Sequence, residues 1–168
     1  PEGTLLPDTY YFSKGTPRQE ILDRMQDQME KALAALWESR DPELPVKSSA
    51  ELVTFASIVE KETGRADERD RVAAVFYNRL KKGMRLQSDP TIVYGIVGGQ
   101  GSLGRGITKF DIETKSPYNT YQINGLPPGP ICNPGKSAIE AALHPAKTTD
   151  LYFVADGTGG HAFSETLK

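Results

Sequence analysis

Apolar residues recur at helical spacing through the first half of the chain and break into short runs after Met84. Ile21, Leu22, Met25, Met29, Leu33 and Leu36 fit one packing helix. Thr16 is its expected cap, Pro17 its first position and Gln19 the third residue after the cap. After "SRDPELPVK", Ser48 and Glu51 form a second capping-box pattern for a helix running to about Thr63 and closed by Gly64. Asp67 then opens a helix over "ERDRVAAVFYNRLKK", with Val72, Phe76 and Leu80 inward and Gly83 beyond its end. Later, Asp89 with Pro90 and Asn133 with Pro134 read as caps and first residues of short helices, the second reaching Leu143. "LYFVA" and "HAFS" flank "DGTGG", which predicts a β-hairpin. The pattern predicts an α+β fold: helices in the first half, then a small antiparallel sheet and long loops in the second half.

Glycine sharpens that division, because thirteen of the 16 glycines lie at or after Gly83, where loops are expected. With 168 residues, 38% of them hydrophobic, the chain is long enough for one domain, residues 1–168, with a core of its own. A net charge of -2 provides no basic field for a polyanion, which argues against nucleic acid as a partner. Cys132 is the single cysteine and can form no internal disulfide, so it leaves the redox compartment open. No apolar stretch approaches the roughly 18 residues of a membrane span, and the amino-terminal residues do not read as a signal peptide. The chain begins at "PEGTLLPDTYYF" and ends at "FSETLK", which reads as a domain excised from a longer protein.

Candidate chemistry centres on "ASIVEKETG", residues 56–64, where two glutamates interrupt an apolar run. At about 100° per residue, Leu52, Ala56 and Val59 form the buried line and Lys61 points to solvent, while Glu60 and Glu62 lie about 160° apart on opposite edges. They cannot both face one cleft. Glu62 has an expected ion-pair partner in Arg65, three residues on. Glu60 has small or apolar helical neighbours in Val53, Ala56, Ser57 and Gly64, which leave room for a ligand and would raise the pKa of a general acid by desolvation. A boundary residue hydrogen-bonded to a loop backbone would show the same pattern.

Other groups leave alternatives open. His144 and His161 lack metal-ligand spacing, so no metal site is expected, and His161 reads as a hydrogen-bonding hairpin residue. Ser57, Ser116 and Cys132 lack the context of a nucleophile, and "GGQGSLGRG" lacks the Lys-Ser/Thr ending of a P-loop, so it reads as a flexible loop. No cofactor is expected. Asp89 is either a helix cap or a second active-site carboxylate. "SPYNTYQINGLPPG" sets tyrosines beside amides and hydroxyls, a mixture suited to sugars or peptides and equally to a tied-down proline-rich loop.

Taken in order, "EGTLLPDTYYF", "ASIVEKET", "VFYNRLKKGMRLQSDPTIVYG", "SPYNTYQINGLPPGPICNPG" and "LYFVADGTGGHAFSETL" resemble the catalytic domain of the YceG-like family of endolytic murein transglycosylases over nearly the whole chain. The resemblance implies a lyase that cleaves the bond between N-acetylmuramic acid and N-acetylglucosamine within peptidoglycan strands, leaving 1,6-anhydro ends. It assigns Glu60 as the single catalytic group, acid and then base, and implies Asn78, Gln87, Ser88, Asp89, Tyr118, Asn119 and Tyr121 as candidates for lining the sugar cleft. It further implies a parent anchored in the bacterial inner membrane, with a transmembrane helix and a LysM-like domain before this region. The catalytic domain would lie on the periplasmic side, with peptidoglycan and the cell-wall synthesis machinery as partners. Other readings remain beside it: a glycan-binding scaffold without turnover, a glycoside hydrolase using Asp89 as second carboxylate, and an enzyme acting on a different polysaccharide.

Overall fold

The computed structural model describes residues 1–167. Among them are α1 (Arg18–Glu38), α2 (Ser49–Glu62), α3 (Arg69–Lys81), α4 (Asp89–Val97), α5 (Lys109–Glu113), α6 (Lys136–Leu143), β1 (Tyr152–Ala155) and β2 (His161–Ser164). The expected α+β organisation is present, with three long helices first and three short helices and a two-stranded antiparallel sheet afterwards. Helix α5 has no counterpart in the sequence reading. It is five residues long, too short for periodicity to reveal, and forms on a capping box between Thr108 and Asp111.

Helix α2 is the centre of the molecule. Every residue from Leu52 to Val59 is buried, so the expected single apolar line is in fact a whole circumference, surrounded by α3, α4 and α6. Its two buried hydroxyls are satisfied locally: Thr54 Oγ1 donates to the Ala50 carbonyl at 2.9 Å, and Ser57 Oγ donates to the Thr54 carbonyl at 2.7 Å while accepting from the Ile131 N–H at 3.0 Å. Phe55 stacks on Tyr77 of α3, ring centroids 3.9 Å apart, and Tyr77 in turn donates its hydroxyl to the Ala142 carbonyl of α6 at 2.8 Å. One aromatic pair and one hydrogen bond thus join three helices.

Helix starts fall one or two residues later than the capping patterns predict at α1, α3 and α6 and one residue earlier at α4, and match only at Ser48. There the side chain accepts from the Glu51 N–H at 3.1 Å as expected, although the Glu51 carboxylate reaches back to the Lys47 N–H at 2.7 Å instead of closing a box. Pro17, Glu68, Ser88 and Gly135 occupy the cap positions of α1, α3, α4 and α6. Three displaced cap candidates have distant or charged partners instead. Asp67 pairs with Arg65 at 2.6 Å, Asp89 accepts from the Tyr121 hydroxyl at 2.6 Å, and Asn133 accepts from the Leu5 N–H at 3.1 Å. At the other end of α2, the chain leaves the helix through Thr63 in an extended conformation, φ -141°, so Glu60, Lys61 and Glu62 are its last three residues.

The hairpin pairs Phe153 with Phe163 and Ala155 with His161, and turns through Gly157 and Gly159, both at positive φ. Buried Arg79 of α3 docks it: Nε donates to the Leu151 carbonyl at 2.7 Å, and Nη1 reaches the Arg85 carbonyl at 3.0 Å. The same guanidinium therefore holds both the approach to β1 and the segment that leads into α4.

Candidate functional site

The two glutamates diverge at the end of α2, as helix geometry requires. Glu60 Oε2 accepts from the N–H of Gly135, the cap residue of α6, at 3.0 Å. That bond orients the carboxyl, and Oε1 accepts no protein hydrogen bond among the described residues. Glu62 Oε2 accepts from the Ser88 hydroxyl at 2.7 Å. The ion pair expected between Glu62 and Arg65 does not form. With α2 ending at Glu62 and Thr63 extended, Arg65 is not one turn further along the same helix, and it pairs with Asp67 at 2.6 Å and Glu68 at 3.7 Å.

Glu62 is accordingly a desolvated carboxyl and not a surface ion-pair member. Burial raises its pKa above the ordinary glutamate value, opposed by the Ser88 donor, with the Asp89 carboxylate adding in the same direction and His161 opposing. On the Glu60 side, burial pushes the Cys132 thiol up to about 12, with Glu60 adding to the effect, so this cysteine is a packed thiol whose Sγ lies 3.4 Å from the Ser57 carbonyl.

Four of the sequence candidates collect around Glu62. Gln87 is the non-glycine residue at positive φ, 54°, and its conformation is held by its N–H donating to the Thr120 carbonyl at 3.2 Å and by Arg79 Nη1 donating to its Oε1 at 3.2 Å. Ser88 is buried against Thr120 and Glu62. Asp89 stands at the first turn of α4 and holds the Tyr121 hydroxyl. Together Glu62, Arg79, Gln87, Asp89, Tyr121 and Phe153 line a pocket of about 180 Å³. Asp89 also borders a second pocket, about 530 Å³, with Lys61, Tyr94, Cys132 and Asn133. Asp89 is therefore shared by the two pockets; Glu62 lines the smaller, Lys61 the larger, and Glu60 neither.

The remaining candidates lie elsewhere. Asn78 Nδ2 donates to the carbonyls of Thr148 and Asp150 at 2.8 and 3.0 Å, fixing the segment before β1. Asn119, 2% exposed, spends its amide on the carbonyls of Asp111, Ile112 and Thr114 at 3.2, 3.1 and 2.7 Å, closing the end of α5. Tyr118 packs on Tyr94 with ring centroids 4.7 Å apart. His161 bonds Glu68 through its ring at 3.0 Å and its N–H at 3.0 Å, as a hairpin residue would. Two members of the cluster were missed from sequence, Glu62 and Arg79. Arg79 had left a signal, since it follows Val72 by seven residues on the inward face of α3, where a lone arginine calls for buried acceptors.

A buried central helix that ends in two diverging carboxylates, one of them lining a pocket built from loops, characterises this α+β domain. The chain belongs to the YceG-like family, whose sequence profile matches residues 1–168. It is 41% identical over 167 residues to a Bacillus subtilis protein named endolytic murein transglycosylase, covering 99% of this chain and 45% of that protein. A Streptococcus pneumoniae protein of the same name is 39% identical over 168 residues, covering 96% of this chain and 29% of the relative. A crystal structure of a YceG-like protein from Listeria monocytogenes superposes with a TM-score of 0.82 at 43% identity, over 98% of this chain and 52% of that one. The chain thus spans about half the length, or less, of each of these relatives.

Proposed function

We propose that this domain is a peptidoglycan lytic transglycosylase, a lyase acting within glycan strands with Glu60 as acid and then base. The observation that carries the reading is identity at 39–41%, along almost the whole chain, to relatives named endolytic murein transglycosylase. The geometry of Glu60 supports the assignment, because one oxygen is oriented by the Gly135 N–H while the other has no protein partner among the described residues. The protonated carboxyl gives its proton to the glycosidic oxygen as the bond from that oxygen to C1 of the muramic acid breaks. The substrate's own N-acetyl carbonyl stabilises the cationic centre. The C6 hydroxyl oxygen then bonds to C1 and returns its proton to Glu60, so the 1,6-anhydro product forms without water. Gln87, Asp89 and Tyr121 line the pocket beside Glu62, and on this reading they contact the strand. On this reading the domain works on the extracytoplasmic side of the inner membrane, tethered by the remainder of a longer protein. No helix among the described residues is long and apolar enough to cross a membrane, so any anchor would come from elsewhere.

Digestion of purified peptidoglycan followed by mass spectrometry tests the reading. Anhydromuropeptides are expected, and replacing Glu60 with Gln should reduce their formation by about 100-fold or more, with an unchanged circular dichroism spectrum. Reducing ends would instead indicate a hydrolase. Asp89, with an oxygen on the Tyr121 hydroxyl, would then be the second carboxylate.

A further inference from the structure

The larger of the two pockets that share Asp89 plays no part in the proton transfer. It measures about 530 Å³, within the range of small-ligand sites, and is built by α4, the end of α2, the amino-terminal segment and the proline-rich loop before α6. Its apolar wall is Val93 and Val97, one turn apart on α4, with buried Ile131. Its polar groups come from three separate parts of the chain: Lys61 on α2, Glu2 near the amino terminus and Asn133 in the loop.

These polar groups have bonding capacity to spare. Lys61 and Glu2 form no ion pair, with each other or with any other group among the described residues. Glu2 Oε1 sits in a notch beside Tyr94 that only glycine permits, since a Cβ on Gly99, itself at φ 76°, would stand 2.5 Å from that oxygen. Asn133 Oδ1 accepts from the Leu5 N–H at 3.1 Å, which leaves its Nδ2 as a donor without a protein acceptor among the described residues. An ammonium and a carboxylate on one apolar cavity suit a ligand that carries both signs, a short peptide with carboxylates and an amine. A neutral amino sugar calls for neither charge, and Tyr94, the aromatic ring at hand, is packed on Tyr118.

We propose that this pocket binds the peptide carried on the lactyl group of muramic acid, with Lys61 taking a peptide carboxylate, Glu2 a peptide amine, Asn133 Nδ2 a peptide carbonyl, and Val93 and Val97 the small apolar side chains. The inference rests on reading the domain as one that engages peptidoglycan, and it extends that reading from the glycan to its branch. The neighbouring pocket, about 180 Å³, has room for little more than one sugar ring. A muramic acid ring held there beside Asp89 has its branch next to the larger pocket, which borders the same aspartate. The domain therefore prefers strands that still carry their peptides over stripped strands.

The decisive measurement is calorimetric binding of the disaccharide N-acetylglucosaminyl-N-acetylmuramic acid, bare or bearing a tripeptide whose third residue is a diamino acid. Neither ligand contains a bond from muramic acid to glucosamine, so turnover does not intervene. The tripeptide form should bind wild-type protein about tenfold or more tighter than the bare form. Lys61→Ala and Glu2→Gln should each remove most of that preference, and Val97→Trp, which fills the cavity, should remove all of it, while affinity for the bare disaccharide stays within about twofold. If Val97→Trp fails to fold, the Lys61 and Glu2 variants carry the test. Equal binding of the two disaccharides by wild-type protein overturns the proposal, as does binding of neither, or a preference that survives in all the folded variants. A bare tetrasaccharide that gains as much affinity as the tripeptide form, and loses it in Val97→Trp, would give the pocket to a second sugar and overturn it too. Wild-type protein that prefers the tripeptide form but releases no anhydro product from peptidoglycan refutes the lytic reading alone. Anhydro product with no preference refutes only the peptide pocket.

Discussion

Glu62 shows how little a residue's type fixes its job. From sequence it is a charged residue at a helix end with an arginine three positions on, yet its partner is Ser88, 26 residues away, and its carboxyl is buried beside Asp89. A pH dependence follows. The groups acting on it are Ser88 and His161, which favour ionisation, and burial and Asp89, which oppose it with burial the largest effect, so the folded-state pKa lies above the ordinary value of 4.5. A carboxyl with a raised folded-state pKa contributes stability that is fully present below the unfolded value and lost as pH rises through the folded one. Glu62→Gln, which cannot ionise, should therefore gain stability relative to wild type as pH is raised from about 4 to 7, with little difference at the acid end. Thermal melts across that range would read the crossing. A constant difference at all pH values would mean that Glu62 titrates as it does in the unfolded chain.

Elements show the same competition between local signals and distant partners. Long helices were legible because periodicity accumulates over many residues, and the hairpin because a glycine-rich turn divides two β-prone runs. Starts were less legible. Asp67, Asp89 and Asn133 are all good caps, but Asp67 is committed to Arg65 two residues before it, and Asp89 and Asn133 to distant partners that a local pattern cannot show. The site was legible in part for the same reason. Gln87, Ser88, Asp89 and Tyr121 share one cluster because adjacent positions and one loop bring them together, whereas Asn78 and Asn119 were motif members whose amides turn inward. Asn119 tests that distinction. It holds three carbonyls around the end of α5, whose start is secured by Asp111, bound to Thr108 and gripped by Arg105 at 2.6 Å. Asn119→Ala leaves those acceptors without their donor and should cost about 1–3 kcal/mol in urea unfolding. Glycan affinity should fall far less than in Ser88→Ala, which alters the cleft segment directly.

Across the whole molecule, burial is distributed unevenly. Helix α2 is buried from Leu52 to Val59 and bonded through Phe55 and Tyr77 to α3 and α6, while α1, at 21 residues the longest helix, is anchored by Met29 as its one fully buried side chain, with Leu33, Leu36 and Trp37 packed partway. Leu22, expected to pack inward, is 42% exposed, so the amino-terminal turns of α1 cover less core than their apolar pattern implies. Local opening free energy follows the apolar contact that each element must give up, so α1 should open below the global unfolding free energy and α2 only with the whole domain. Native-state hydrogen exchange in low urea should show α1 amides exchanging first, those of Val53 to Val59 last, and Met29→Ala should widen the gap by destabilising α1 selectively, by about 2–5 kcal/mol. The carboxylates sit at the end of the element expected to open last, and the Glu62 contact extends that rigidity to segment 87–89. Exchange of the Ser88 and Asp89 amides should therefore follow α2 in the wild-type protein and detach from it in Glu62→Ala, which would separate a cleft held by its central helix from one held by its own loops.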